Sequence, residues 1–310
     1  MTRYRGTVAG RRHLLEIGGR KVAITNPEKP MYRSGFTKGQ VIEYYIRISN
    51  HLLPHISQHP ITLKRYPNGI MGTHFYEKDA PKFTPAWIET FAVSRRGGGK
   101  DIRYVLLPDL ASLVWSANLA NLEIHPFLAR APDLQQPRWM VFDLDPGGGS
   151  DVLTCAEVAF LLKAALEARG LESCAKVSGS KGVQVYVPLN TKVTYADTQP
   201  FAQALAQELE RQHPDLITAD MAKLKRTRKV FVDWSQNADF KSTVAVYSLR
   251  AKRDEPYVSM PFTWDEFRRA IRKRDSMMLY LDPDAAIQRL EKVGDLFRPV
   301  LDLRQRLSKQ

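Results

Sequence analysis

Two aspartates, Asp143 and Asp145, end an apolar run, Trp139-Met140-Val141-Phe142. The run is rich in strand formers, and Pro146-Gly147-Gly148-Gly149 stops it. Side chains alternate along a strand, so Asp143 and Asp145 share one face and Leu144 takes the other. Two carboxylates on one face repel unless positive charge lies between them. A hard divalent cation held through oxygen, Mg²⁺ or Mn²⁺, is the usual answer. An Asp-x-Asp by itself fits equally well a strand end that caps the next turn or helix.

Other residues carry the argument further. Asp233 ends a second strand-like run, Val230-Phe231-Val232. Ser178-Gly179-Ser180-Lys181-Gly182 is a turn offering backbone N–H groups, hydroxyls and an ammonium. His125 and Arg250 stand where elements are expected to end. Together these are the parts for two-metal phosphoryl transfer, with carboxylates for two cations and donors for a triphosphate. Ser178, Ser180, Lys181, Gly182, His125 and Arg250 are the candidate triphosphate contacts. The turn lacks the spacing of a Walker loop. A Ser-His-Asp hydrolase is excluded for want of a Gly-x-Ser-x-Gly elbow.

The elements that position these residues follow from periodicity and punctuation. Residues 12–25 read as a hairpin about Gly18-Gly19. Thr25 or Asn26 is a candidate cap for a short helical turn starting at Pro27. Thr37 caps a helix over residues 38–53, with Val41, Ile42, Tyr45, Ile48 and Leu52 on one face. Residues 61–66 and 74–78 read as strands, and 94–100, with Arg95, Arg96 and Lys100, as a basic Gly-rich loop. Residues 110–122 show a helix pattern that leaves His125 at an element end. A helix through Arg169 closes at Gly170 and is capped by Asp151 or Thr154. Strands flank the Ser178–Gly182 turn, and a helix spans residues 195–213. Lys223, Lys225, Arg226, Arg228 and Lys229 form a basic run before the Asp233 strand. Residues 244–249 read as a strand ending at Arg250, and the chain is helical from Trp264. The expectation is a mixed α+β chain.

The formal charge is +13 over 310 residues, which points to a polyanion and above all to nucleic acid. No apolar run approaches the ~20 residues needed to span a bilayer. Residues 1–5 lack the apolar core of a leader, and no convincing basic amphipathic helix offers itself to a membrane surface. Arg268, Arg269, Arg272, Lys273 and Arg274 read as the solvated face of a late helix. Cys155 and Cys174 read as reduced, buried thiols of a cytoplasmic protein.

Three segments resemble the motifs of the archaeo-eukaryotic primase superfamily, and more narrowly the polymerase domain of bacterial DNA ligase D. They are Val-Phe-Asp-Leu-Asp-Pro-Gly at 141–147, Val-Ser-Gly-Ser-Lys-Gly-Val at 177–183 and Lys-Val-Phe-Val-Asp-Trp-Ser-Gln-Asn at 229–237. The likeness extends to Thr25-Asn26-Pro27-Glu28-Lys29, Lys64-Arg65-Tyr66-Pro67-Asn68-Gly69, Phe75-Tyr76-Glu77-Lys78, Leu122-Glu123-Ile124-His125, Tyr247-Ser248-Leu249-Arg250 and Pro261-Phe262-Thr263-Trp264. The resemblance implies a primase-polymerase fold, an RRM-like antiparallel catalytic sheet packed on an N-terminal α/β module. Its parts would run from about 1 to 130, 131 to 260 and 261 to 310. It implies Asp143, Asp145 and Asp233 as ligands of two Mn²⁺ or Mg²⁺ ions. It implies Asn26, Lys29 and Lys38 as a pocket for a 5′-phosphate, and Phe75 and Tyr76 as rings that stack on the template. Arg65, Lys223 and Arg226 would contact DNA or nucleotide.

The activity so implied is template-dependent nucleotide addition at gapped or overhanging DNA ends in non-homologous end joining, with a preference for ribonucleotides common in the family. Ku and a DNA ligase would be partners, and a DNA-bridged dimer stays open. One departure is Gln184, where the superfamily has His; Gln keeps hydrogen bonds but no charge, which leaves primer-independent initiation open. The alternatives are a primase-polymerase acting in priming or gap repair, and a catalytically silent module that binds and synapses DNA ends.

Overall fold

The computed structural model describes residues 12–95 and 97–307. The reading of residues 1–5 and that of Arg96 lie outside the described residues. The chain opens with a hairpin, β1 (Arg12–Ile17) and β2 (Arg20–Thr25). α1 (Lys38–Ile56) starts at a capping box in which Thr37 and Gln40 satisfy each other's backbone N–H. A first sheet is built from β3 (Ile61–Arg65), β4 (Phe75–Glu77), β5 (Thr90–Val93) and β6 (Ile102–Val105). After α2 (Leu110–Asn118) it gains β7 (Asn121–Pro126). β3 is its hub, pairing with β4, β6 and β7.

The second sheet carries the aspartates. Its elements are β8 (Trp139–Pro146), α3 (Val152–Glu167), β9 (Cys174–Val177), β10 (Val183–Pro188), α4 (Tyr195–Gln212), β11 (Ile217–Thr218) and β12 (Val230–Asp233). The strand order is β11-β12-β8-β10-β9, antiparallel except for the β11–β12 pair. β8 sits at its centre with Trp139, Met140, Val141, Phe142 and Leu144 all buried. α3 and α4 pack on it, and Asp151 caps α3. A short ribbon, β13 (Leu249–Arg250) and β14 (Tyr257–Val258), follows. α5 (Trp264–Lys273), α6 (Pro283–Val293) and α7 (Pro299–Asp302) close the chain. The basic residues of α5 are exposed as its polar face requires.

Four local expectations change. α2 stops at Asn118, because Ala120 takes φ 58° and residues 121–126 leave to pair with β3. His125 therefore stands on a strand rather than beyond a helix. Residues 244–248 are not strand, since Tyr247 takes φ 65° and turns the chain; only Leu249–Arg250 pairs. Asn26 has φ 47° and closes a β-turn with Lys29, so no helical turn forms at Pro27. Cys155 is a buried free thiol, but Cys174 is only half-buried.

Candidate active site

Register places the carboxylates. Asp143 on β8 lies directly opposite Asp233 on β12, and Asp145 is two residues along the same face. Burial and then Asp145 and Asp233 push the Asp143 carboxyl up to about 7. Burial and Asp233 raise Asp145 as well, against Arg226 and Arg250. Three oxygen-donor side chains held at such mutual cost suit a divalent cation by donor chemistry. Among the described residues, however, no ready-made cage of three ligands exists. Asp233 is turned toward its own strand end. Its Oδ1 accepts from Ser235 N at 2.9 Å and Ser235 Oγ at 2.6 Å, and its Oδ2 accepts from Gln236 Nε2 at 2.9 Å.

The row continues across the sheet. Gln184 on β10 pairs with Asp143 on one side and with Lys176 on β9 on the other. Lys176 is fully buried and donates to Gln184 Oε1 and to Ser259 Oγ, each at 2.6 Å. Since Oε1 accepts from Lys176, the Gln184 amide nitrogen is left to donate to Asp143. Burial, with Arg250 in second place, drives the Lys176 ammonium well below its ordinary value.

Asp143 and Asp145 open on a cavity of about 350 Å³, whose lining does not include Asp233. Ser178, Ser180, Lys181 and Gly182 form one wall, and Arg226, Arg250 and Lys252 bring positive charge. The turn needs its glycines. Gly179 takes φ 70° with Arg250 and Val258 crowding it, and a Cβ on Gly182 would stand 2.2 Å from Leu144 O. Ser178 Oγ accepts from the N–H groups of Ser180 and Gly182, both at 3.3 Å, which holds the loop closed.

His125 does not line this cavity. It stands behind it, 3.1 Å from Glu123 Oε2. Glu123, part of the 122–125 segment but given no role by sequence reading, is a fully buried hub. It pairs with Lys64 at 2.9 Å and Arg250 at 3.3 Å, and accepts from Tyr66 at 3.0 Å. Burial pushes its carboxyl up, but Arg250, His125 and Lys64 outweigh that and hold it well below the usual range. Sequence reading also missed Lys176 and Lys252, which belong to no recognisable spacing.

The remaining candidates lie apart. Phe75 and Tyr76 are exposed on the edge strand β4, with Tyr76 edge-on to His125 at 5.9 Å. Arg65 is engaged internally, donating to Leu119 O at 2.8 Å and to Glu77 at 2.6 Å. Arg226 stacks on Phe231 at 3.7 Å, while Lys223 is exposed on a 3₁₀ turn outside the cavity. Lys29 and Lys38 flank the Asn26 turn. Lys29 Nζ donates to Asn68 at 3.0 Å, and Lys38 Nζ to Thr25 Oγ1 at 3.1 Å. Burial and then Lys29 lower the Lys38 ammonium to about 8.

Residues 37–297 match the family model described as LigD, primase-polymerase domain. The chain belongs to this family. The LigD primase-polymerase domain is a nucleotidyltransferase of non-homologous end-joining repair. The multifunctional non-homologous end joining protein LigD of Mycolicibacterium smegmatis is 38% identical over 283 residues, 90% of this chain and 36% of that protein. The corresponding DNA repair protein of Mycobacterium tuberculosis is 36% identical over 285 residues, 89% and 36% of the two chains. The bifunctional LigD of Bacillus subtilis is 29% identical over 277 residues, 88% of this chain and 43% of that one. The chain thus spans well under half the length of these relatives. A solved structure, the polymerase domain of Mycobacterium tuberculosis Ligase D in complex with DNA, matches with a TM-score of 0.83 at 35% identity. The match covers 92% of this chain and 99% of that one. It establishes the mixed α+β LigD polymerase-domain fold. No helix among the described residues is long and apolar enough to cross a membrane.

Proposed function

We propose that this chain adds nucleotides to DNA ends under template direction, filling gaps and extending overhangs in end joining. One observation carries the reading. Asp143 and Asp145, with Asp233 in register beside Asp143, stand at a cavity that the first two line and whose other walls are a donor-rich turn and three cations. Asp143, Asp145 and a reoriented Asp233 would hold Mg²⁺ or Mn²⁺. Such ions, when bound, polarise the α-phosphoryl group and acidify the primer 3′-hydroxyl. The Ser178–Gly182 turn cradles the triphosphate through N–H groups and hydroxyls. Lys181, Arg250 and Lys252 offset its charge. The 3′-oxygen bonds to the α-phosphorus as the bond to pyrophosphate breaks. Glu123 holds Arg250 in place, with His125 beside it. Phe75 and Tyr76 offer stacking faces to template bases. Asn26, Lys29 and Lys38 take a downstream 5′-phosphate, and Lys223 and Arg226 approach DNA or nucleotide. Ku and a DNA ligase are the partners that end joining requires. The setting is the cytoplasm, on nucleoid DNA.

A second reading, an end-binding module without catalysis, is favoured by one observation. Asp233 spends both its oxygens on Ser235 and Gln236. Primer extension with Mn²⁺ on a gapped duplex carrying a 5′-phosphorylated downstream strand separates the two, with NTP or dNTP supplied. Extension by the native chain, lost in Asp143→Ala and weakened without the 5′-phosphate, is the expected result. Tight binding to the gap without any extension would establish the silent module.

A further inference from the structure

A second cavity, of about 1100 Å³, lies at the opposite end of the aspartate-bearing sheet. Arg138, just before β8, and residues 190–193, just after β10, form one side. The segment after α7 forms the other. Gln305 pins that segment in place: its N–H donates to Leu189 O at 2.9 Å, and its amide nitrogen to Glu172 O at 3.0 Å and Pro188 O at 2.7 Å. Neighbours in an extended segment point opposite ways, so Arg304 and Arg306 share the side away from Gln305, and both line the cavity.

Arg138, Lys192, Arg304 and Arg306 therefore converge on one space, against a single lining carboxylate, Asp197. Asp197 is committed to the start of α4, accepting from Thr194 N at 2.8 Å and Thr194 Oγ1 at 2.7 Å. Among the described residues none of the four cations has an ion-pair partner. Arg138 Nε is buried and has no acceptor among the described residues. Burial and Arg304 lower the Arg138 guanidinium, and burial and Arg138 in turn lower Arg130. Four like charges gathered against one carboxylate leave an excess of positive charge that calls for an anion. Three of the four are arginines, whose planar fork suits phosphate oxygens. The aromatic ring in the lining, Phe201, is buried, so the cleft offers no platform for a base. Its chemistry addresses phosphates rather than sequence.

We propose that this cleft binds the phosphate backbone of the nucleic-acid strand whose reacting end lies at Asp143 and Asp145. It rests on the polymerase reading above and adds a second anchor to it. From residue 138 to residue 145 the strand β8 rises roughly 23 Å. That equals about seven steps of a DNA strand. A substrate must extend past that length to reach the cleft.

The test uses two gapped duplexes, with arms of about five and about twenty base pairs, and the Arg304→Gln/Arg306→Gln double variant. Both side chains are exposed, and thermal melting checks the fold. On long arms, loss of two phosphate contacts should flatten the slope of log affinity against log salt by about 1.8. Short-arm binding and extension should stay unchanged. Lys192→Gln, at an exposed position, should flatten the long-arm slope by about 0.9. An unchanged long-arm slope, or equal weakening on both substrates, overturns the proposal. So does loss of inorganic tripolyphosphate binding with long-arm DNA unaffected, which would make this a site for free polyphosphate. An interaction with an acidic protein that the double variant abolishes, with DNA binding intact, overturns it too. Failure of the native chain to extend the short-armed primer would instead sink the polymerase reading, and the arm-length comparison of binding would still be readable.

Discussion

The row Lys176, Gln184, Asp143, Asp233 runs straight across four strands. It sets the buried Lys176 amine, its ammonium driven well below the ordinary value, at one end and paired carboxylates at the other. Nothing in the sequence distance between 143, 176, 184 and 233 shows that they are neighbours; register alone brings them together. What could be read was the local part, that Asp143 and Asp145 share a face. The arrangement stores unfavourable charge. Asp143, raised to about 7, is forced to ionise at higher pH against burial and two other carboxylates. Asp143→Asn should therefore stabilise the metal-free protein at pH 8 by about 2 kcal/mol while abolishing extension. A carboxyl whose pKa is raised on folding carries its penalty above that pKa. The advantage of the amide is thus largest above pH 7 and fades as pH falls toward 4. Melting temperatures in chelator, for both proteins across that range, check it. A lower melting temperature for the variant at pH 8 would show that the charge is already compensated.

At the scale of elements, strands with turn punctuation were legible and context-dependent segments were not. The Ser178–Gly182 turn, the helix behind Thr37 and the β8 stop at Pro146 follow from local chemistry, and all three form. β7 was masked because Leu119 and Leu122 prolong the apolar pattern of α2. Only pairing with β3 reveals the strand, and with it Glu123. Residues 244–248 have strand composition, yet they are buried on every side and turn at Tyr247. The turn between β2 and α1 shows what an element can do to a side chain. It sets Lys38 against Lys29 in a nearly buried position, which lowers Lys38 to about 8. A lysine lowered in this way loses its charge as pH rises through that value. Preference for a 5′-phosphorylated over an unphosphorylated gap should accordingly fall between pH 7 and 9. Lys38→Met should be weak and flat across the range. Equilibrium binding to the two gaps at each pH measures this, and a flat preference in the native chain would remove Lys38 from the pocket.

Among the described residues one main core is joined by a small second cluster of Val93, Tyr104 and Phe127. The main core runs from Leu15 in the first hairpin to Val300 in α7 and includes strands of both sheets. α1 fastens them. Tyr45 donates to Leu122 O at 2.7 Å, next to Glu123, and accepts from Leu249 N at 3.1 Å, next to Arg250. Tyr44 donates to Tyr247 O at 2.8 Å. The same helix thus ties the strand that carries Glu123 to the ribbon that carries Arg250. Tyr45→Phe keeps the ring but leaves Leu122 O without that donor and Leu249 N without its acceptor, both buried. A loss of about 2 to 3 kcal/mol follows. With the main core shared by both sheets, tryptophan fluorescence and far-UV circular dichroism should report one common denaturant midpoint, shifted together in the variant. Because Leu249 anchors Arg250, the nucleotide KM of Tyr45→Phe should rise more than its kcat falls. Two separate midpoints in the native chain would show that the sheets unfold independently. An unchanged KM alongside the lost stability would confine Tyr45 to packing and release Arg250 from its control.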